Sequence, residues 1–250
     1  MIIIKSDEEI KKISAACKIV AEILIEIEGF LRPGITTEDI ERLAEKSIRA
    51  KKALPAFKGY RGYPACLCIS INNVVVHGIP SKDKVLKDGD IASIDIGVIL
   101  DGFYGDGAKT FPIGKISEAA SKLLKVTKEA LYEGIGQAKI GNRVSDISYA
   151  VQRYAEDRGY SVVKAFVGHG IGRDLHEDPQ IPNFGNPNKG ARLKAGMALA
   201  IEPMINVGGF QVKVLEDGWT AVTADNSLSA HFEHTIVVTD NNPKILTIID

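Results

Sequence analysis

The sequence predicts an α+β protein built as two pseudo-symmetric halves, approximately residues 1–112 and 113–250 of a single domain, closing around one central cavity. Three internal echoes carry this reading. Lys87-x-Gly89 followed by Ile94-Asp95 returns 107 positions later as Lys194-x-Gly196 followed by Ile201-Glu202. Gly34 ahead of Asp39-Ile40 returns as Gly141 ahead of Asp146-Ile147. Ala56-Phe57 returns as Ala165-Phe166 at an offset of 109, as a duplicated unit with a small insertion would show.

The elements follow in order. Ser6 with Glu9 forms a capping box, and Ile10, Ile13, Cys17, Val20, Leu24 and Ile27 recur at helical spacing until Pro33-Gly34 stops the run. Thr36 with Asp39 caps a second helix through Ile40, Leu43 and Ile48. Strand-like segments run from Leu67 to Val76 and from Ile91 to Leu100. A third helix opens at Ser117 with Leu123, Leu124, Val126 and Leu131, and a fourth enters through Ser145-Asp146-Ile147 and Val151.

A period-2 reading separates the faces of the two echoing strands. Ala92, Ile94, Ile96 and Val98 share one face, and Ser93, Asp95 and Gly97 share the other. In the second half Met197, Leu199 and Ile201 share the bulky face, while Ala198 and Ala200 accompany Glu202. Both acids project away from the apolar packing. Asp101-Gly102 reads as a turn that returns a strand carrying Asp106 beside Asp95, and Glu233 leads into the strand-like run Thr235-Ile236-Val237-Val238.

Composition narrows the function classes. A chain of 250 residues with 45% apolar content can bury a full core. A net charge of -1 provides no basic field for phosphate backbones, so nucleic acid is not an expected partner. Cys17, Cys66 and Cys68 are an odd number with neither a disulfide framework nor a complete zinc pattern, which points to a reducing cytoplasm. The N-terminus lacks a basic segment followed by an apolar one, and no apolar run reaches about 18 residues, so a soluble, unexported protein without membrane association is expected.

Asp95, Asp106, His169, Glu202 and Glu233 together form a mostly carboxylate constellation with one imidazole. A single acid chosen blindly is most often a surface or capping residue. Four carboxylates gathered between apolar strands would repel one another and be driven toward protonation, whereas two divalent ions balance their charge. Glycines around His169 and His176, in Gly168-His169-Gly170-Ile171-Gly172-Arg173-Asp174-Leu175-His176, allow close approach to a ligand. His77, taken alone, reads more often as a hydrogen-bonded structural histidine.

In these motifs the sequence resembles the type I methionine aminopeptidases over essentially its whole length. The segments Asn72 to Pro80 with His77, Ile94-Asp95 with Gly105-Asp106, His169 to Pro179, Ala200-Ile201-Glu202-Pro203-Met204 and Phe232-Glu233-His234-Thr235 fall in the family's order and spacing. The resemblance implies the pita-bread fold, with His169 and Glu202 binding one metal, Asp95 chelating the other, and Asp106 and Glu233 bridging both. It implies that a metal-held hydroxide attacks the first peptide carbonyl, with Glu202 as general base, His176 stabilising the tetrahedral intermediate and His77 contacting substrate. Tyr60, Tyr63, Cys68 and Trp219 are the implied methionine pocket, a lining suited to a polarizable thioether. Phe57 and Leu175 depart from the best-known enterobacterial pattern, where a cysteine and a phenylalanine are expected. Asn72, Val74 and Ser229 match a monovalent-cation position on resemblance alone, and His231 and His234 carry no assigned role, His234 being expected to point away from Glu233.

The donor set suits cobalt, manganese, iron or zinc. The implied substrate is a nascent polypeptide N-terminus met at the ribosome, with the enzyme a monomer, although no feature of the sequence marks a ribosome-docking surface. An X-Pro peptidase of the same fold is the nearest alternative; such relatives usually carry a large N-terminal domain, while here the first helix begins almost at Met1. A non-catalytic binding module is disfavoured because all five ligands and both key histidines are present. Because the implied specificity demands a small second residue and this chain has Ile2, Met1 is expected to be retained. Intact-mass measurement should show the initiator methionine in place, and its quantitative loss would contradict the expectation.

Overall fold

Two helices of the same design open the chain, and each starts where a side chain closes the first backbone donors. Ser6 Oγ accepts the Glu9 N–H at 3.3 Å while the Glu9 carboxylate accepts the Ser6 N–H at 3.1 Å, starting α1 (Asp7–Phe30). Thr36 and Asp39 repeat the exchange at 3.1 and 3.0 Å for α2 (Thr37–Ala50). The computed structural model describes residues 1–249. Of the positions that the helical spacing predicts, Ile13, Cys17, Val20 and Ile27 of α1 and Ile40 and Ile48 of α2 are fully buried, while Ile10 and Leu43 are half-buried at the edges.

The expected strand region from Leu67 to Val76 is two strands instead of one, Leu67–Ile71 and Val74–Val76. Asn72 takes a φ of 56°, a left-handed conformation that Asn tolerates and that turns the chain between them. The first strand pairs with Ile91–Leu100 and the second with Ala221–Thr223 in a different sheet. Ile91–Leu100 and Phe103–Pro112 then form a long antiparallel hairpin. Its two-residue loop, Asp101-Gly102, has positive φ at both positions (49° and 77°), the geometry whose twist matches that of the flanking strands.

The face assignment holds: Ala92, Ile94, Ile96 and Val98 are buried in one apolar cluster with residues of α1 and α2. On the returning strand Gly105 lies directly against α1. A Cβ there would stand 2.5 Å from the Cys17 backbone nitrogen and 2.6 Å from the Ala16 carbonyl carbon, so only glycine lets helix and strand approach this closely.

The second pair of helices is α3 (Glu118–Gly136), capped by Ser117, and α4 (Val144–Glu156). Arg143 occupies the cap position of α4 and offers no acceptor, so the local closure runs the other way, with the Asp146 carboxylate accepting the Arg143 N–H at 2.7 Å. Ala198–Ile201 lies between Val167–Gly170 and His234–Val237, antiparallel to both, in a five-stranded sheet. Met197, Leu199 and Ile201 pack with Leu131 and Ile135 of α3 and Ile147 of α4. Met204–Asn206 pairs with Ser229–His231 in a separate small sheet.

The hairpin and the segment 231–235 are sewn together through alternate residues. Thr110 Oγ1 donates to the His231 carbonyl at 2.7 Å, the Glu233 N–H donates to the Ala108 carbonyl at 2.8 Å, and Thr235 Oγ1 donates to the Asp106 carbonyl at 2.7 Å. Among the described residues, no helix is long and apolar enough to cross a membrane.

Gly105→Ala is expected to cost about 1–3 kcal/mol, the usual penalty for overpacking a tight contact, because the atoms facing the new methyl are helix backbone. Urea unfolding monitored by circular dichroism should show a lowered midpoint. An unchanged midpoint would mean that α1 can shift without loss.

Candidate metal centre

Cross-strand register explains why the first two acids share a face. Asp95 stands opposite Ala108 and Asp106 opposite Gly97, so each carboxylate faces a small partner and the two acids are diagonal neighbours on the hairpin. Cys68 stands opposite Asp95 from the other side, which brings its thiol to the same face. The remaining ligand candidates come from the five-stranded sheet. His169 pairs with Ala200, while Glu202 directly follows Ala198–Ile201 and Glu233 directly precedes His234–Val237, with Ile201 opposite His234.

The five predicted residues line one cavity of about 710 Å³. His169 Nε2 lies 3.5 Å from Glu202 Oε1 and 3.9 Å from Asp106 Oδ2. One donor atom each from Asp106, His169 and Glu233 falls within 4.8 Å of the others. The His169 Nδ1 sits 2.9 Å from the Gly170 carbonyl, which can only accept, so the proton is on Nδ1 and the Nε2 lone pair faces the carboxylates.

Burial sets the electrostatics. It pushes the Asp95 carboxyl up to about 7 and those of Asp106, Glu202 and Glu233 well above the usual range, Asp106 raised further by Asp95, Glu202 by Asp95 and Asp106, and Glu233 by Asp106, Glu202 and Asp95. Burial, followed by the neighbouring His176, lowers His169 to about 3, so its imidazole is neutral at physiological pH. Asp95 Oδ1 and Glu233 Oε1 are buried without a hydrogen-bond partner. Orphaned carboxylate oxygens, clustered acids and an unprotonated imidazole nitrogen aimed among them fit divalent cations: four oxygen donors and one nitrogen.

The predicted pocket residues Tyr60, Tyr63, Cys68 and Trp219 line the same cavity, as do His77 and His176, and the His176 ring lies 5.2 Å from that of Tyr60 and 4.4 Å from that of His169. Phe57 and Leu175 belong to the apolar cluster that holds Tyr63 and Cys68, so together they shape one wall. Trp219 meets Tyr63 edge-on at a centroid distance of 5.1 Å. Tyr60 Oη lies 2.7 Å from His176 Nδ1. His77 has a φ of 60°, rare for a bulky residue, and its ring stands edge-on to Phe166 at 5.2 Å. Burial lowers the pKa of His77, and lowers that of His176 to about 4.

The loop that presents His176 is held by a buried ion pair between Lys5 and Glu177. The second oxygen of Glu177 accepts the Arg173 N–H at 2.8 Å. Asn72 and Ser229 meet outside the cavity lining, where the Ser229 N–H donates to the Asn72 carbonyl at 2.9 Å, and Ser229 Oγ is buried without a partner. Val74 pairs with Val222 nearby. His234 contacts Thr247 Oγ1 at 2.9 Å and Tyr132 at 3.4 Å and is absent from the cavity lining. Sequence reasoning missed Phe166 and Arg61 as cavity residues. For Phe166 a signal existed, since it echoes Phe57, which lines the same cavity.

A methionine aminopeptidase of Clostridium acetobutylicum is 54% identical over 250 residues, covering 100% of both chains. The crystal structure of methionine aminopeptidase from Thermotoga maritima superposes with a TM-score of 0.98 at 48% identity, again over 100% of both chains. Prolidase from Pyrococcus furiosus, at 24% identity, shares the fold with a TM-score of 0.81 over 99% of this chain and 66% of its own. The fold is thus the pita-bread fold that the sequence predicts. The sequence model of metallopeptidase family M24 matches residues 11–240, and with relatives this similar along the whole length the chain belongs to that family.

Proposed function

We propose that this chain removes the N-terminal methionine from peptides and nascent proteins that have a small second residue. The observation that carries the reading is one cavity in which a carboxylate and imidazole cluster fit for divalent ions adjoins an aromatic and sulfur-bearing wall. The full-length identity to curated methionine aminopeptidases supports it. The catalytic unit is taken as one domain of two halves, 1–112 and 113–250.

His169 and Glu202 would hold one divalent ion, Asp95 the other, and Asp106 and Glu233 both. Ions bound there supply a Lewis acid for the scissile carbonyl and lower the pKa of water. Tyr60, Tyr63, Cys68 and Trp219 bind the methionine side chain, whose thioether suits aromatic and sulfur contacts. His77 orients the amide of the first peptide bond. Glu202 takes the proton of the attacking water and returns it to the departing amine. A Tyr60 hydroxyl that donates to His176 Nδ1 leaves the proton on His176 Nε2, where it can stabilise developing charge on the carbonyl oxygen.

The proposed setting is the cytoplasm, where a monomer meets nascent N-termini leaving the ribosome. The three cysteines, buried and unpaired, are consistent with a reducing compartment. Asn72, Val74 and Ser229 are proposed to hold a monovalent cation, a reading supported by the partnerless Ser229 Oγ.

Chelated protein resupplied with Co²⁺, Mn²⁺, Fe²⁺ or Zn²⁺ should release methionine from Met-Ala-Ser and leave Ala-Pro-Ser intact. Glu202→Ala should lower the rate by about 10²–10⁴-fold, the usual worth of a positioned proton acceptor. Cleavage of the proline peptide alone would favour an X-Pro peptidase, and no turnover with any metal would end the proposal.

Metal binding should also displace protons. Burial pushes Asp95 up to about 7 and holds Asp106, Glu202 and Glu233 well above the usual carboxylate range, so the metal-free cluster carries protons that a bound cation displaces. Mn²⁺ calorimetry in two buffers of different ionisation enthalpy should therefore show net proton release at pH 6 that shrinks as pH rises through about 7. No net proton release at pH 6 would refute the protonated state of the cluster.

A further inference from the structure

His231 is a buried titratable residue that the mechanism above does not use. It sits two positions before Glu233, is 1% exposed, and its Nε2 is buried without a hydrogen-bond partner. That nitrogen lies 3.7 Å from Glu202 Oε2. The two oxygens of Glu202 thus face different imidazoles, because Oε1 lies 3.5 Å from His169 Nε2. If His169 and Glu202 hold one ion together, Oε1, the oxygen nearer the His169 lone pair, would be the one offered to it, and Oε2 would be left over.

The backbone of His231 is unusually well tied for a residue without an assigned role. Thr110 Oγ1 donates to the His231 carbonyl at 2.7 Å and accepts the His231 N–H at 2.9 Å. Its single proton being spent, Ser93 Oγ, 2.8 Å away, must be the donor in the contact between the two hydroxyls. Ser93 and Thr110 are cross-strand partners on the hairpin face that carries Asp95 and Asp106. Met204, two residues beyond Glu202, is the β-partner of His231. The imidazole is therefore registered at once to the hairpin acids and to Glu202.

We propose that His231 is a positioning residue that donates its Nε2–H to Glu202 Oε2. This fixes the carboxylate plane so that Oε1 stays toward the metal and Oε2 stays aimed at the proton it must accept. A sub-ångström movement closes the present gap to hydrogen-bond range, and the bond would give a partner to a nitrogen otherwise buried without one. The inference rests on the role proposed for Glu202. An imidazole in this place differs from a mere filler because its N–H sets the orientation of the general base, as outer groups do for metal-site ligands.

The test compares wild type, His231→Leu and His231→Gln, with thermal melts to verify folding of the metal-free proteins. Three readouts are used: Co²⁺ affinity and stoichiometry by calorimetry, the visible spectrum of the Co²⁺-loaded protein, and kcat and KM on Met-Ala-Ser. Loss of the N–H in His231→Leu should weaken Co²⁺ binding by about 10–100-fold, the range seen when outer-shell partners of metal ligands are removed. Its kcat should fall, with KM near wild type and an altered Co²⁺ spectrum. His231→Gln, whose amide can donate, should recover most of each loss.

A folded His231→Leu with wild-type affinity, spectrum and kcat would overturn the proposal, as would a His231→Gln no better than His231→Leu. Loss of a whole equivalent of bound Co²⁺ would overturn it too, by making His231 a ligand. Failure of the wild type to release methionine would instead count against the proposed function, so the two failures are distinguishable.

Discussion

The site depends on the seam between the strand Phe103–Pro112 and the segment 231–235. Hydrogen bonds at Thr110, Ala108 and Asp106 tie the carbonyl and amide of His231, the amide of Glu233 and the side chain of Thr235 to the hairpin. Because the seam uses alternate residues, it fixes both position and facing. Asp106 and Glu233 are brought to one side, and Asp95 follows through the register of its own hairpin. If the seam slipped by one residue, the facing of the side chains would reverse, and a carboxylate would be driven into the apolar packing.

The same seam creates an electrostatic problem that the fold does not solve by itself. Burial raises every carboxyl in the cluster, and the charges of neighbouring acids raise Asp106, Glu202 and Glu233 further, so proximity is bought against solvation. Small residues make the cluster sterically feasible: Gly97 and Ala108 stand opposite the hairpin acids, and Ala200 stands opposite His169. The bulky faces of the same strands lie against helices, with Ile94 and Ile96 beneath α1 and α2, and Leu199 and Ile201 beneath α3 and α4. Apolar burial on the outside thus holds in place an arrangement of charge that favours a cation inside.

The opposite wall is held by other means. His176 rides on a loop fixed through Glu177, whose partner Lys5 comes from the start of the chain, while the Lys5 N–H donates to the Gly196 carbonyl at 2.8 Å. An ion pair this buried is costly to assemble and more costly to break on one side, so it specifies where the loop sits more than it adds stability. Tyr60 meets His176 from a short 3-10 turn beside the apolar wall. The side chain that would face the scissile carbonyl is therefore positioned by residues more than a hundred positions away in sequence.

The sequence by itself determined the four helices, the capping boxes of the first two, the facing of Asp95 and Glu202 and the set of candidate metal ligands, since helical spacing, strand alternation and local capping are short-range properties. It also pointed to the duplication, because the repeated Lys-x-Gly and acid positions are visible in one dimension. It did not show that Leu67–Val76 would break at Asn72 and divide between two sheets, because the left-handed turn is selected by pairing partners far along the chain. Only the tertiary structure decided that Thr110 would clamp His231, that Lys5 would brace the His176 loop, and that His231 would face Glu202. Each of these is a contact between segments distant in sequence, set by register and packing, and no local pattern encodes which polar atoms will meet once water is excluded.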